Sequence, residues 1–176
     1  MFGDISNIHN NVDLIYILTA VLIVDMIVIL IARDTTRFGK SVNEWYNKFT
    51  ITAVLLDVLI IMIGFVITRY VFDVFKLKFT PELFIIILIT IQVVHDYLLY
   101  TWVIVPYPKG NNQIIDVYKK HANENGYTAI VADSAIVLGS AVIAMYLKNN
   151  EMHETTSLLI FSLYIIPYFI YQKEKY

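Results

Sequence analysis

Residues 86–105 read IILITIQVVHDYLLYTWVIV, an apolar run with Gln92, His95 and Asp96 in its middle. Its length matches the roughly 20 residues of helix that span a bilayer core of about 30 Å. Each charge centred in a bilayer costs roughly 2.5 to 3.5 kcal/mol to insert, so ionisable residues at that depth are rare and functionally suspect. The stretch therefore places the chain in a membrane and marks the middle of one helix as a place to look for chemistry.

The composition agrees. Of 176 residues, 58% are hydrophobic and 16% charged, with a mean hydropathy of +0.64, against about 25% charged in soluble domains. The formal charge of -2, with Lys and Arg spread over several loops, gives no polybasic surface and no support for nucleic-acid binding. Cysteine is absent, which removes disulfides, thiolate catalysis and Cys-based metal sites.

Working outward, the expected fold is all-α: one integral membrane bundle over 1–176, with five transmembrane helices and one short amphipathic surface helix. The spans are expected at 14–32, 49–70, 83–105, 127–147 and 155–172. Residues 1–13 are polar without Lys or Arg, and the run behind them is too long for a signal-peptide core, so it should stay in the membrane. Asn11 and Asp13 are candidate N-caps for the first span, and Ser41-Val42-Asn43-Glu44 has the form of a capping box. Arg69 and Asp73 are spaced for an i, i+4 pair. Thr80-Pro81-Glu82 is a helix start, Pro106 and Pro108 a stop. Pro167 is a candidate kink in the last span. No internal repeat is apparent.

Between the third and fourth spans, residues 112–125 place Ile114, Ile115, Tyr118 and Ala122 on one face and Asp116, Lys119, Lys120 and Glu124 on the other. This helix either lies on the membrane surface or caps the end of the bundle. The fourth span is rich in small residues and should be central, since small side chains let helices approach closely in lipid.

Cytoplasmic loops collect Lys and Arg. One set of alternate loops holds Arg33, Arg37, Lys40, Lys48, Lys109, Lys119, Lys120, Lys173 and Lys175; the other holds Arg69, Lys76, Lys78 and Lys148. That asymmetry predicts the N-terminus outside and the C-terminus cytoplasmic. Trp45, Tyr46, Trp102, Tyr107, Tyr127, Tyr168 and Tyr171 then form an aromatic belt at the inner boundary.

Counted from that boundary at 1.5 Å per residue, Asp25, Asp57, Asp96 and Asp133 all lie roughly 9 to 14 Å deep, with Tyr164 at the same level. Gln92, His95 and Asp96 share one helical face, as do Ala129, Asp133, Ile136 and Ser140. The candidate site for a proton or cation is therefore Asp25, Asp57, Gln92, His95, Asp96 and Asp133, with Tyr164 and Ser140 secondary. Four bare carboxylates repel one another in a low dielectric, so protons or a bound cation must balance them. If the cation is a metal, His95, Asp96 and Asp133 are its expected ligands. Taken singly, each aspartate reads equally well as an interhelical hydrogen bond, and His9, His121 and His153 read as solvated.

The segment His95-Asp96-Tyr97-Leu98-Leu99-Tyr100, with Pro106-Tyr107-Pro108-Lys109-Gly110-Asn111, Ile114-Ile115-Asp116 and Asp133-Ser134, resembles uncharacterised multi-pass membrane proteins encoded by nucleocytoplasmic large DNA viruses. The resemblance covers about the middle third of the chain and implies a host-cell or virion inner membrane, with no assigned activity. Three functions compete. The first is proton or cation binding or transport by the aspartate and histidine cluster. The second is a structural or assembly role, with a purely structural polar layer and a membrane or capsid partner held by the 112–125 helix. The third is a membrane-embedded metal-dependent hydrolase acting on lipid, which lacks a His-x-x-x-His pair.

Overall fold

The computed structural model describes residues 2–34 and 40–172, with residues 33 and 34 in backbone only. Within these the chain forms helices and no strand: α1 Asp13–Asp34, α2 Lys40–Phe49, α3 Ile51–Val74, α4 Pro81–Leu98, α5 Gln113–Asn125, α6 Tyr127–Leu147 and α7 Met152–Ile170. A π-helical turn, Leu99–Ile104, carries α4 on toward Pro106. Arg37, Lys173 and Lys175, which enter the orientation count, lie outside the described residues.

Four segments, not five, are long and apolar enough to cross a membrane: Asp13–Ala32, Ile51–Val74, Pro81–Ile104 and Tyr127–Leu147. The expected fifth span fails because α7 opens on His153, Glu154, Thr155, Thr156 and Ser157. Its apolar part, 158–170, is about 20 Å of helix, short of a bilayer core. It packs along α1 through Thr155, Ser162, Ile166 and Ile170, a buried stripe at helical spacing.

The four spans form a ring in which α1 touches α3 and α6, and α4 touches the same two. As expected from its small residues, α6 packs closely: Ser140, Ala141 and Ala144 are fully buried, and a Cβ on Gly139 would sit 3.6 Å from Val24. At one end of the ring Phe84 of α4 stacks between Phe65 and Phe72 of α3, with ring centroids 6.1 and 5.4 Å away. The other end is closed by α2 and α5, which pack on each other. The 112–125 helix thus caps the bundle and turns its apolar face inward, with Val117 buried.

The two halves of the bundle repeat one arrangement that is not apparent in the sequence. A span, a short amphipathic helix and a second span occur in that order twice, as α1-α2-α3 and as α4-α5-α6. The joint between α2 and α3 is Thr50, at φ 47 and ψ -124. The joint between α5 and α6 is Gly126, at φ 52 and ψ -129. This is a region L side chains avoid, and it turns both short helices off their spans in the same way. Beyond the joints, 51–57 reads ITAVLLD and 127–133 reads YTAIVAD. Thr52, Ala53 and Asp57 thus match Thr128, Ala129 and Asp133, and the same register pairs Ile60 with Ile136, Val66 with Val142, Ile67 with Ile143 and Tyr70 with Tyr146. Neighbour relations match as well, because α1 meets α3 as α4 meets α6, and α2 meets α3 as α5 meets α6. Apolar identities carry little signal in a chain this hydrophobic, which is why the repeat hides in the sequence and is exposed by the two backbone joints.

The expected capping box on α2 does not form. Ser41 is inside the helix, and the carboxylate of Glu124 on α5 takes the backbone N–H groups of Lys40 and Ser41, at 2.8 Å each. Lys120 then bonds Glu44 at 2.5 Å, and Ser41 Oγ lies 3.1 Å from Nδ1 of His121. A carboxylate is well placed there, because helix N-termini carry unsatisfied donors and a positive dipole end. His121, expected to be solvated, is half-buried in this clasp. Desolvation lowers its pKa from the ordinary 6.5, partly opposed by Glu124. The bonds from Ser41 and Lys40 hold Glu124 below its ordinary 4.5. Both folded values lie below the unfolded ones, so the clasp is at full strength above pH 6.5 and weakens as pH falls through the His121 and then the Glu124 range. Amide exchange over 40–44, corrected for intrinsic rates, should therefore accelerate between neutral pH and pH 4, and already at neutral pH in Glu124→Gln. Protection independent of both changes would show the clasp to be idle.

Candidate functional site: a layer of carboxylates

The repeated arrangement sets the site. Asp57 and Asp133 each lie two turns beyond a joint, on α3 and α6. Asp25 of α1 and Asp96 of α4 face them from the antiparallel spans. Asp25 interacts electrostatically with Asp57, and Asp133 with both Asp96 and Asp57. The four carboxylates, remote in sequence, therefore occupy one layer, with Asp57 and Asp133 linking the pairs.

In the first half, Asp25 is 4% exposed and its Oδ1 accepts from the hydroxyl of Tyr46 at 3.3 Å. Oδ2 of Asp57 accepts from Nε1 of Trp45 at 3.0 Å, and the Tyr46 hydroxyl also reaches Asp57. Burial, then Asp57 and Asp25 opposite it, push the Tyr46 phenol well above its ordinary pKa. Tyr46 therefore stays protonated, as a donor. It has one proton for two carboxylates.

In the second half, Oδ1 of Asp96 accepts from Nε2 of Gln92 at 2.8 Å and lies 3.2 Å from Nδ1 of His95. The i, i+4 relation of Gln92 to Asp96 makes that bond within one helix. Tyr118 of α5 stands over the layer and senses Asp57, Asp133 and Asp96, which, after burial, raise its pKa. Its ring packs on Trp45 at 5.0 Å. The π turn follows Asp96 directly, with Thr101 Oγ1 bonded to the Tyr97 carbonyl at 2.7 Å and Lys119 Nζ to the Tyr107 carbonyl at 2.5 Å. Insertions of this kind recur at functional sites.

Of the candidate residues, Asp25 and Asp57 are joined through the Tyr46 hydroxyl and Gln92, His95 and Asp96 by hydrogen bonds, while Asp133 lies within electrostatic range of Asp96 and Asp57. Tyr164 stands apart: it is 61% exposed and pairs outward with Tyr168, hydroxyl to hydroxyl at 2.9 Å, because α7 packs outside the ring. Ser140 is fully buried, yet its hydroxyl bonds the Ile136 carbonyl of its own helix at 2.9 Å. Among the described residues, no three His, Asp or Glu side chains are grouped so as to hold a metal ion, so His95, Asp96 and Asp133 do not make a ligand set.

Trp45 and Tyr46 were expected in the aromatic belt, yet both are buried and act as donors to the layer. Their signal was Ser41, Trp45 and Tyr46 on one face of a helix whose other face is charged. Trp102, Tyr107, Tyr127, Tyr168 and Tyr171 are exposed.

A second buried polar cluster lies at the opposite end and was not foreseen. Asp13 is fully buried. Its Oδ1 pairs with Nζ of Lys148 and accepts from Asn10 at 3.0 Å, while Arg69 approaches Oδ2 at 4.0 Å. Arg69 turns inward rather than toward Asp73 and donates to the carbonyls of Asn7 and Asn10. Asp73 instead pairs with Lys76 at 3.1 Å. Ile5 is buried, and the Gly3 N–H bonds the Met145 carbonyl at 2.9 Å. The N-terminal segment is therefore stitched across the bundle end by groups from α1, α3 and α6.

Comparison with models of protein families, with curated proteins and with solved structures finds no match.

Proposed function

We propose that the chain is a multi-pass membrane protein that binds or conducts protons or a cation through its carboxylate layer. The convergence of Asp25, Asp57, Asp96 and Asp133 from four spans supports this reading. So does their placement at the interface between two halves, where repeat-built transporters carry their substrate and ion sites. With α1 and α4 running one way and α3 and α6 the other, the halves are parallel repeats.

A purely structural layer is the rival. Four centred charges cost on the order of 10 kcal/mol to insert, whereas interhelical hydrogen bonds in membranes return about 0.6 kcal/mol each. Specific locking is already supplied by Asp13, Arg69 and Lys148 at the other end. A lipid hydrolase finds no grouped ligand set among the described residues to support it. The Lys and Arg of the loops at the capped end support a cytoplasmic side for that end, with the layer nearer to it, and an outside N-terminus. The resemblance to viral membrane proteins is the pointer to a host-cell or virion inner membrane, and it rests on residues alone. The apolar face of α5 is used within the bundle, leaving its polar face for any protein partner.

A ligand that binds the folded state stabilises it by RT ln(1 + [L]/Kd). At neutral pH and above, where the Glu124–His121 clasp is at full strength, the unfolding midpoint of the purified protein should therefore move with pH or with sodium, potassium, magnesium or calcium concentration, and this response should vanish in Asp25→Asn/Asp96→Asn. The same response in that variant would place binding elsewhere.

A further inference from the structure

Each half leaves a buried carboxylate oxygen bare. Of the buried side-chain oxygens without a hydrogen-bond partner, Oδ2 of Asp25 and Oδ2 of Asp96 occupy matching spans, α1 and α4. Each belongs to a carboxylate whose Oδ1 is already served, by Tyr46 in one half and by Gln92 and His95 in the other. Asp25 is 4% exposed and faces Asp57, itself held by Trp45. Leaving a buried acceptor unsatisfied carries its full desolvation penalty, more for a charged group than for a neutral one.

The donor set selects the ligand. A metal cation collects several oxygens, six to eight for calcium. Here the N–H and O–H groups of Trp45, Tyr46 and Gln92 already point at the carboxylates, and one oxygen of Asp25 and one of Asp96 are buried and bare. A proton needs only one.

We propose that the layer holds two exchangeable protons, one on Oδ2 of Asp25 and one on Oδ2 of Asp96, in the first span of each half. This rests on the ion-handling reading above and narrows its ligand to the proton. Each acid has a defined neighbourhood for exchange: Tyr46 and Asp57 face Asp25, while Gln92, His95, Asp133 and Tyr118 face Asp96 or its partner. Each proton exchanges when its O–H bond to one carboxyl oxygen breaks and an O–H bond to another acceptor forms, with no change in oxidation state. Asp57 and Asp133 connect the pairs.

Infrared difference spectroscopy on the full-length protein in lipid nanodiscs, exchanged between H2O and D2O at neutral pH, tests this. Two protonated-carboxyl stretching bands that shift in D2O are expected; Asp25→Asn should remove one and Asp96→Asn the other, with helical content retained by circular dichroism. Absence of such bands from the wild type, or their survival in both variants, overturns the proposal, as does their loss in Asp57→Asn alone. Calorimetric titration with sodium and calcium separates the two levels of the reading. Stoichiometric binding lost in Asp25→Asn, without protonated-carboxyl bands, sinks the proton assignment and leaves a cation site, whereas absence of both signals removes the ion-handling function as well.

Discussion

Asp13→Ala is expected to destabilise the protein by about 3–5 kcal/mol, the range for removing one partner of a buried ion pair. At about 2–4 °C per kcal/mol for a chain of this size, the unfolding midpoint in detergent should fall by about 10 °C. The magnitude follows from what remains. Lys148 and the fully buried Arg69 would face each other across the vacated site with no carboxylate between them. Arg69 would keep the Asn7 and Asn10 carbonyls, so amide exchange over 2–12 should rise without complete release of the segment. Replacing all three charges at once, as Asp13→Leu/Arg69→Met/Lys148→Met, should cost much less than Asp13→Ala, because no buried charge is then orphaned. An unchanged midpoint in Asp13→Ala would mean that the cluster is hydrated and contributes nothing.

That cluster shows where sequence reading stops. Asp13 looks like an N-cap and Arg69 like the partner of Asp73 because both inferences use local spacing. Which way each side chain turns is set by contacts between α1, α3, α6 and residues 2–12, and local spacing carries no information about those. The four main spans are legible because the bilayer imposes length and hydropathy on each helix independently of its neighbours. The fifth expected span is an error of the same rule, since a 13-residue apolar run lengthened by five polar residues looks like a span until α7 is seen packed beside α1.

For the carboxylate layer, depth along each helix is legible from the sequence, whereas facing direction is not. Asp25, with little polar company on its helix, shows this best: it turns inward to Tyr46 and Asp57. Tyr164 has the right depth but the wrong face. Trp45 and Tyr46 escape notice because aromatic residues beside a membrane boundary read equally well as belt residues, and only the turn at Thr50 folds α2 back over the bundle. Thr50 also marks an asymmetry between the halves, since a β-branched residue occupies a conformation that Gly126 adopts freely, a strain of order 1–3 kcal/mol.

The second large effect is expected in Asp57→Asn. Asp57 connects the layer: it receives Trp45 and Tyr46 and interacts with Asp25 and Asp133. The amide keeps the shape and can still accept from Trp45, so the fold should survive. It removes the charge and, on the proposed reading, the link through which a proton or cation would pass between the halves. The direct test is flux into proteoliposomes loaded with a pH-sensitive dye, under an imposed proton or cation gradient with a potassium diffusion potential. Wild-type protein should carry current above empty vesicles, and Asp57→Asn and Asp133→Asn should each return it to the empty-vesicle level while inserting and folding normally. Wild-type vesicles indistinguishable from empty ones under every gradient, or variants that conduct as well as the wild type, would contradict conduction through the layer.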